Sequence, residues 1–474
     1  MTGDFTRDSF DPTKNFTRVL MQQGRPQLDA DLNEQIAIFW RYWRTLATDL
    51  IGPFGGPRHN CGFEVIDAGM VSEKNQEDVS EGRSAKEKEY LRSMLKEPGE
   101  FLISPGRYYV NGILCENTRY LAYSTHIDPW ETPLTHKKNA SYLVYLDVWE
   151  RPVSYLEDDQ IYEPALNGID TSIRTKVMWR VRVWELPDKN AYGDCSKVSR
   201  HWTTITHAWQ AEHRGRLRAQ TSEAADGASH EHEHAVGRGY RGPQNQLYRV
   251  EIHHEGVAGS GDRGPTFKVS RENGSVLFRV ASFDNNIVNL VSMGRDARFG
   301  LQAGDWVELC EGHIGGGVAG PLFQVQKADS NLRQVTLSGT PAHDDRSRRP
   351  FFLRRWDHKV GDPKRGGLEL RDGAAILREG EGNNGWLSLE HGLRIQFHKS
   401  TPANKYRTGD YWLIPARVAT GGVLWPHEHG KPKAVEPHGV QHHYAPLAIV
   451  SFEANGALEA QGDCRPKFKL PLEF

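Results

Sequence analysis

The chain is poor in features that would narrow its class at once. Its 474 residues include five cysteines, Cys61, Cys115, Cys195, Cys310 and Cys464, odd in number, widely scattered and without a Cys-x-x-Cys pair. That pattern excludes a dense disulfide scaffold and a cysteine-rich zinc module, and all five are expected to be reduced thiols in or near β-cores. An excess of charge of either sign is also lacking. A formal net charge of −2 leaves no electrostatic footprint for nucleic acid or an anionic membrane. No run of about eighteen apolar residues occurs, and Asp4, Arg7 and Asp8 stand where a signal peptide would be apolar. Neither membrane insertion nor a secretory leader is expected. Neither a P-loop nor a Gly-x-Ser-x-Gly elbow is found.

What the chain does have is glycine and aromatics. Forty-seven Gly, 13 Trp and 16 Tyr against a modest 38% hydrophobic content suit many turns and aromatic-rich strands. The expected fold is mainly β (α+β), with several antiparallel β-sandwich or barrel domains, an extended N-terminal arm and one long N-terminal helix.

The helix is the clearest local signal. Leu32, Ile36, Phe39, Trp43, Leu46 and Leu50 recur at alternating steps of four and three, which only an α-helix places on one face. Asp29 or Asp31 is the expected N-cap and Gly52-Pro53 the stop. Such a seam serves a helix lying on its own β-domain or one packing between subunits. Fewer than four heptads favours its own domain. Before it, residues 3–27 carry Phe5, Phe10 and Phe16 without a regular period, interrupted by Pro12, Gly24 and Pro26. This arm is expected to be loose in the free subunit and to dock its aromatics on a partner.

The remainder reads as strands. A short strand at 62–66 and a surface excursion with one helix at 85–95 precede two strands around Asn111-Gly112, a type I′ hairpin signal. Residues 142–150 and 175–186 are β-rich; in the second, Val177, Trp179, Val181 and Val183 share a face. The intervening acidic loop, with Glu157, Asp158, Asp159, Glu163 and Asp170, lacks a calcium-loop spacing and reads as solvated. Seven short strands between Gln246 and Leu337 have the rhythm of a small barrel, and Gly304-Asp305-Trp306 resembles the entry to an SH3-like strand. The expected domains are 1–60 (arm and helix), 61–218 (β-rich), 219–240 (linker), 241–345 (barrel or sandwich) and 346–474. If the last completes the 61–218 domain, the barrel is an insertion.

Chemistry is thinly signalled. His230, Glu231, His232, Glu233 and His234 satisfy His-Glu-x-x-His, but the flanks DGAS and AVGRG deny it the helix a zincin requires. A second group, His427, Glu428, His429, His438, His442 and His443, has enough imidazoles for a metal. The simpler reading puts His442 and His443 on opposite faces of a strand start, one packed and one exposed. His230, His232, His234, His442 and His443 are the candidate metal ligands, and no metal or cofactor is expected. GHIGGGVAG at 312–320 leads into a strand, not the helix a phosphate loop needs.

The run GDFTRDSFDPTKNFTRVLMQQGRPQLDADLNEQ resembles the opening of an uncharacterised bacterial family found with genes for phage-tail-like contractile injection systems. The resemblance continues in YLVYLDVWERPVSYLEDD, GYRGPQNQLYRVEIH, TFKVSRENGSV, YRTGDYWLIPARVATG and HGVQHHYAPLA. It implies a non-enzymatic structural subunit, baseplate or tail-peripheral. Its partners would be other tail or baseplate subunits, with homo-oligomers open. It would be made in the bacterial cytoplasm and then carried on a particle, released or not. Phe5, Phe10, Phe16, Leu32, Ile36, Phe39 and Trp43 are the expected partner-docking residues. The alternatives are a delivered or secreted hydrolase effector, or a carbohydrate-binding protein, to which the tryptophans lend weight.

Overall fold

The computed structural model describes residues 2–68, 70, 85–95, 99–125, 140–166, 170–210, 214–222, 239–312, 319–342, 349–452 and 458–468. The fold is mainly β, built of antiparallel sheets, with helix α1 at Asp29–Ile51. The α1 N-cap is Leu28, without a side-chain cap, and not Asp29 or Asp31. Both carboxylates instead lie in the first turn, where the helix dipole favours them. Gly52 ends the helix at φ 95°, its N–H donating to Thr48 at 2.8 Å.

An outer unit follows. Strands Leu458–Asp463, His443–Phe452, Ser141–Val153 and Arg174–Glu185 form one antiparallel sheet in that order. Phe54–Pro57, Gly106–Val110 and Ile113–Asn117, joined by Lys467–Phe468, form another. One core lies between them, including Phe63, Tyr108, Val144, Leu146, Val181, Leu447 and Val450. Val177, Trp179, Val181 and Val183 all pack into it, as their alternation predicts. The hairpin turn is Asn111-Gly112, with φ 47° and 73°. The strand expected at 62–66 shortens to Val65–Ile66, because Phe63 takes a left-handed φ of 64°.

The opposite face of the longer sheet is covered by a helix that the sequence reading missed, Cys195–Trp209. Asp194 caps it, and Val198, Ile205, Trp202 and Trp209 pack over Leu143, Tyr145, Trp184 and Ile449. Cys195 and Cys464 form a disulfide across 269 residues. This corrects the expectation of five reduced thiols: sheet pairing brings together two cysteines that spacing could not connect. Cys61, Cys115 and Cys310 are free.

A middle unit is inserted between that helix and His443–Phe452. Its main sheet runs Leu370–Arg371, Ala374–Ile376, Thr266–Ser270, Asn245–His254, Tyr411–Arg417, Gly422–Val423. A second sheet pairs Arg216–Thr221 with Leu393–His398, so the expected linker begins inside a strand; residues 223–238 lie outside the described residues. Tyr248, Val250, Ile252, Phe267, Trp412, Ile414 and Phe397 make this unit's core.

The barrel is inserted in turn between Thr266–Ser270 and Ala374–Ile376. It closes through Leu277–Asp284, Ile287–Leu290, Gln334–Leu337, Leu322–Asp329, Trp306–Glu311 and Phe351–Trp356. Two strands assigned to it from sequence, Asn245–His254 and Thr266–Ser270, belong to the middle sheet, and its last strand comes from beyond the expected boundary. Strand rhythm reports that strands exist, whereas pairing is non-local. The C-terminal region is thus divided among all three units.

Candidate docking surface

Helix α1 rests on its own chain by one narrow side. Ala30 and Ile38 are buried, at 1% and 2% exposure. Arg44 Nη2 donates to Glu150 Oε2 at 2.8 Å, and Arg41 Nη1 donates to the Pro12 carbonyl at 3.1 Å. At 100° per residue these positions lie opposite the seam. The seam therefore faces away from the subunit: Leu32 is 67% and Leu50 76% exposed, and Ile36, Phe39, Trp43 and Leu46 are each about half exposed. Trp40 and Tyr42 widen the face, and the Phe39 and Trp43 rings meet edge to face at 6.0 Å. This corrects the expectation that the seam packs on its own β-domain. The helical period was right, and the described residues of the subunit leave the seam open. A contiguous apolar face of this kind marks an interaction site.

The arm is tied down at its start and open at its tip. Thr2 and Gly3 are buried, with Asn273 Nδ2 donating to the Gly3 carbonyl at 3.0 Å. Arg417 Nη2 donates to the Thr6 carbonyl at 2.7 Å. Thr6 donates through N and Oγ1 to Asp29 at 2.9 and 2.6 Å, and Ser9 Oγ to Glu34 at 2.6 Å. The chain turns at Pro12–Lys14, where Asn15 adopts φ 55°, and returns along the helix with Val19 N donating to Gln35 Oε1 at 2.7 Å. Phe5 and Phe10 are half-buried against the subunit, so the arm is not loose throughout. Phe16, Leu20 and Met21 are exposed on the returning limb, beside the α1 seam. Polar ties spanning some twenty residues leave no periodic trace in a sequence.

A family model of unknown function matches residues 1–201 and 206–466, taking in the arm, α1 and all three β-units. The chain belongs to DUF6519. No curated protein matches it, and no solved structure does.

Elsewhere in this DUF6519 chain, the two described candidate metal ligands take separate partners. His442 Nδ1 lies 2.6 Å from Asp147 Oδ1, and His443 Nδ1 lies 2.9 Å from Asn111 Nδ2. They do have separate partners, but both are half-buried, where one was expected to be exposed. Burial, and next the nearby Arg44 cation, hold the His443 pKa below its ordinary value. His427 Nδ1 contacts the Trp425 carbonyl at 2.8 Å, and His438 packs on Tyr411. His230, His232 and His234 lie outside the described residues, as do residues 313–318 of the Gly-rich run. Among the described residues no three of His, Cys, Asp and Glu form a group that could hold a metal ion. In the acidic loop, Glu157 is buried and paired with Arg151 at 2.7 Å, while Asp158 caps a short 3₁₀ turn.

The sequence reading also missed a buried layer of charge where the barrel sits on the middle sheet. Arg249, Glu251 and His253 alternate with the apolar Tyr248, Val250 and Ile252, and both faces of this strand are buried. Glu251 pairs with Arg249 at 2.5 Å and with Lys268 at 3.2 Å. Lys268 reaches across to Glu308 of the barrel at 2.7 Å, and Trp356 Nε1 donates to the same carboxylate at 2.9 Å. Burial pushes the Glu251 carboxyl up, but Arg249 and Lys268 outweigh it and hold its pKa at about 2. Burial, with Lys268 nearby, pushes His253 down to about 3. Strict alternation of charged and apolar residues is what a half-exposed strand shows as well, so only the structure separates the two cases.

Proposed function

We propose that this chain is a structural, non-enzymatic subunit of a phage-tail-like contractile assembly, at the baseplate or tail periphery, attached through its N-terminal arm and helix. The observation that carries the reading is the returning limb of the arm beside α1, whose Phe16, Leu20 and Met21 the subunit leaves open to solvent. The assembly itself is suggested by the resemblance of the N-terminal run and the later motifs. The near-neutral charge supports protein partners over nucleic acid. No helix among the described residues is long and apolar enough to cross a membrane. The Cys195–Cys464 disulfide supports an oxidising stage in the protein's life, as on a released particle.

The test is co-purification. Replacing Phe16, Leu20 and Met21 together with Ser should leave the subunit's melting temperature within about 2 °C of wild type, since exposed positions contribute little, and remove it from purified particles. Recovery of the triple variant in particles at wild-type levels would overturn attachment through this surface.

A further inference from the structure

The seam of α1 has an internal symmetry that singles out its partner. Reflection about Arg41 exchanges Leu32 with Leu50, Ile36 with Leu46, Phe39 with Trp43 and Trp40 with Tyr42. Aliphatic side chains thus meet aliphatic ones at both ends, and aromatic ones meet aromatic ones in the middle. In heptad terms the first three exchanges each pair an a position with a d position, the layer geometry of two helices running in opposite directions, and Trp40 and Tyr42 flank that layer at e and g. Arg41, at the midpoint of the reflection, does not obstruct the contact: it lies on the opposite side of the helix, where its guanidinium donates to the Pro12 carbonyl. We propose that α1 packs antiparallel against α1 of a second copy of this chain, forming a two-fold symmetric dimer.

Three further observations agree. A two-fold contact requires one patch to be complementary to itself, which a reflected seam satisfies by construction. The size is adequate: with aromatic side chains offering roughly 150–250 Å² when fully buried, eight large residues about half exposed supply roughly 600–1,000 Å², a range that takes in the roughly 800 Å² per partner of a standard stable interface. Electrostatics do not oppose it. The helix is about 35 Å long, its dipoles align favourably when antiparallel, and the flanking Asn33, Gln35 and Ala47 are uncharged, leaving Asp49 the one charge beside the seam. An anionic lipid surface is disfavoured as occupant, because α1 carries Asp29, Asp31, Glu34 and Asp49 against only Arg41 and Arg44.

The inference rests on the reading of the N-terminal surface as an interface, and its test is independent of the particle. Sedimentation equilibrium of the purified full-length chain should give twice 53.6 kDa at micromolar concentration. Phe39→Glu with Trp43→Glu should weaken association at least about 100-fold, as expected for central aromatic anchors, with an unchanged circular dichroism spectrum. Orientation is read by oxidative cross-linking. Leu32→Cys mixed with Leu50→Cys should give a covalent dimer, and Leu32→Cys alone should not. A wild type that stays monomeric to about 100 μM, or self-cross-linking of Leu32→Cys at the efficiency of the mixture, would overturn the antiparallel dimer. Because the Phe16, Leu20 and Met21 variant reports on particle attachment and these measurements on self-association, either reading can fail while the other stands.

Discussion

Helix α1 and the barrel–sheet junction invert the usual partition of residues. On α1, Leu32, Phe39, Trp43 and Leu50 stand in solvent; at the junction, Arg249, Glu251, Lys268 and Glu308 are almost wholly enclosed. The junction is closed because each charge finds its counter-charge within the same chain, so burial is compensated. The seam is open because none of the described residues covers it. Side-chain polarity therefore does not decide what is inside; the presence of a matching surface does.

The comparison breaks most easily at Lys268. Lys268→Met removes the cation paired with both enclosed carboxylates, Glu251 and Glu308, and should cost about 3–5 kcal/mol in urea unfolding. A loss under about 1 kcal/mol would mean that water reaches the junction. Next come two isoleucines two positions apart on α1. Ile38→Ala should cost about 2–4 kcal/mol because it opens a cavity, whereas Ile36→Ala, at dilutions that keep the subunit monomeric, should cost no more than about 0.5 kcal/mol. Equal losses would contradict the orientation of the helix.

Acidification should disturb the junction as well. The folded pKa of Glu251, about 2, is below its ordinary 4.5, so its contribution is complete above pH 4.5 and is lost as pH falls toward 2. His253 is held neutral with a folded pKa of about 3 against an ordinary 6.5. Its contribution is complete above pH 6.5 and disappears as pH falls toward 3. Both act in one direction, so melting temperature should decline on acidification. His253→Gln should flatten the decline between pH 6.5 and 4.5, where Glu251 does not yet titrate. An unchanged slope there would show that the His253 ring is solvated.

What was legible in the sequence was local. The four-three spacing from Leu32 to Leu50 gave α1 its extent, Asn111-Gly112 its hairpin, and Val177 to Val183 the buried face of their strand. The helix Cys195–Trp209 was legible too, through Asp194 as cap and the apolar steps Val198, Trp202, Ile205 and Trp209, but it was passed over amid strands. What was not legible was relational. Nothing in NQLYRVEIHH says that the charged face meets a barrel. Nothing around Cys195 points to Cys464. The α1 seam announces an apolar face without saying on which side of the helix the subunit lies. That was settled by Ala30 and Ile38, two residues outside the pattern.

The nesting of one unit inside another sets an order of assembly during synthesis. The innermost barrel has all its strands once Trp356 has emerged, the middle sheet must wait for Val423, and Ser141–Val153 must wait for its neighbour His443–Phe452. Roughly 300 residues separate those last two strands, which at about 5–20 residues per second is about 15–60 s of ribosome time. Throughout that interval Ser141–Val153 is paired only on its Arg174–Glu185 side and Phe54–Pro57 only on its Gly106–Val110 side, so the outer sheets are completed last. The disulfide between Cys195 and Cys464 spans the whole middle unit, and it fastens a helix made before that unit to a segment made after it.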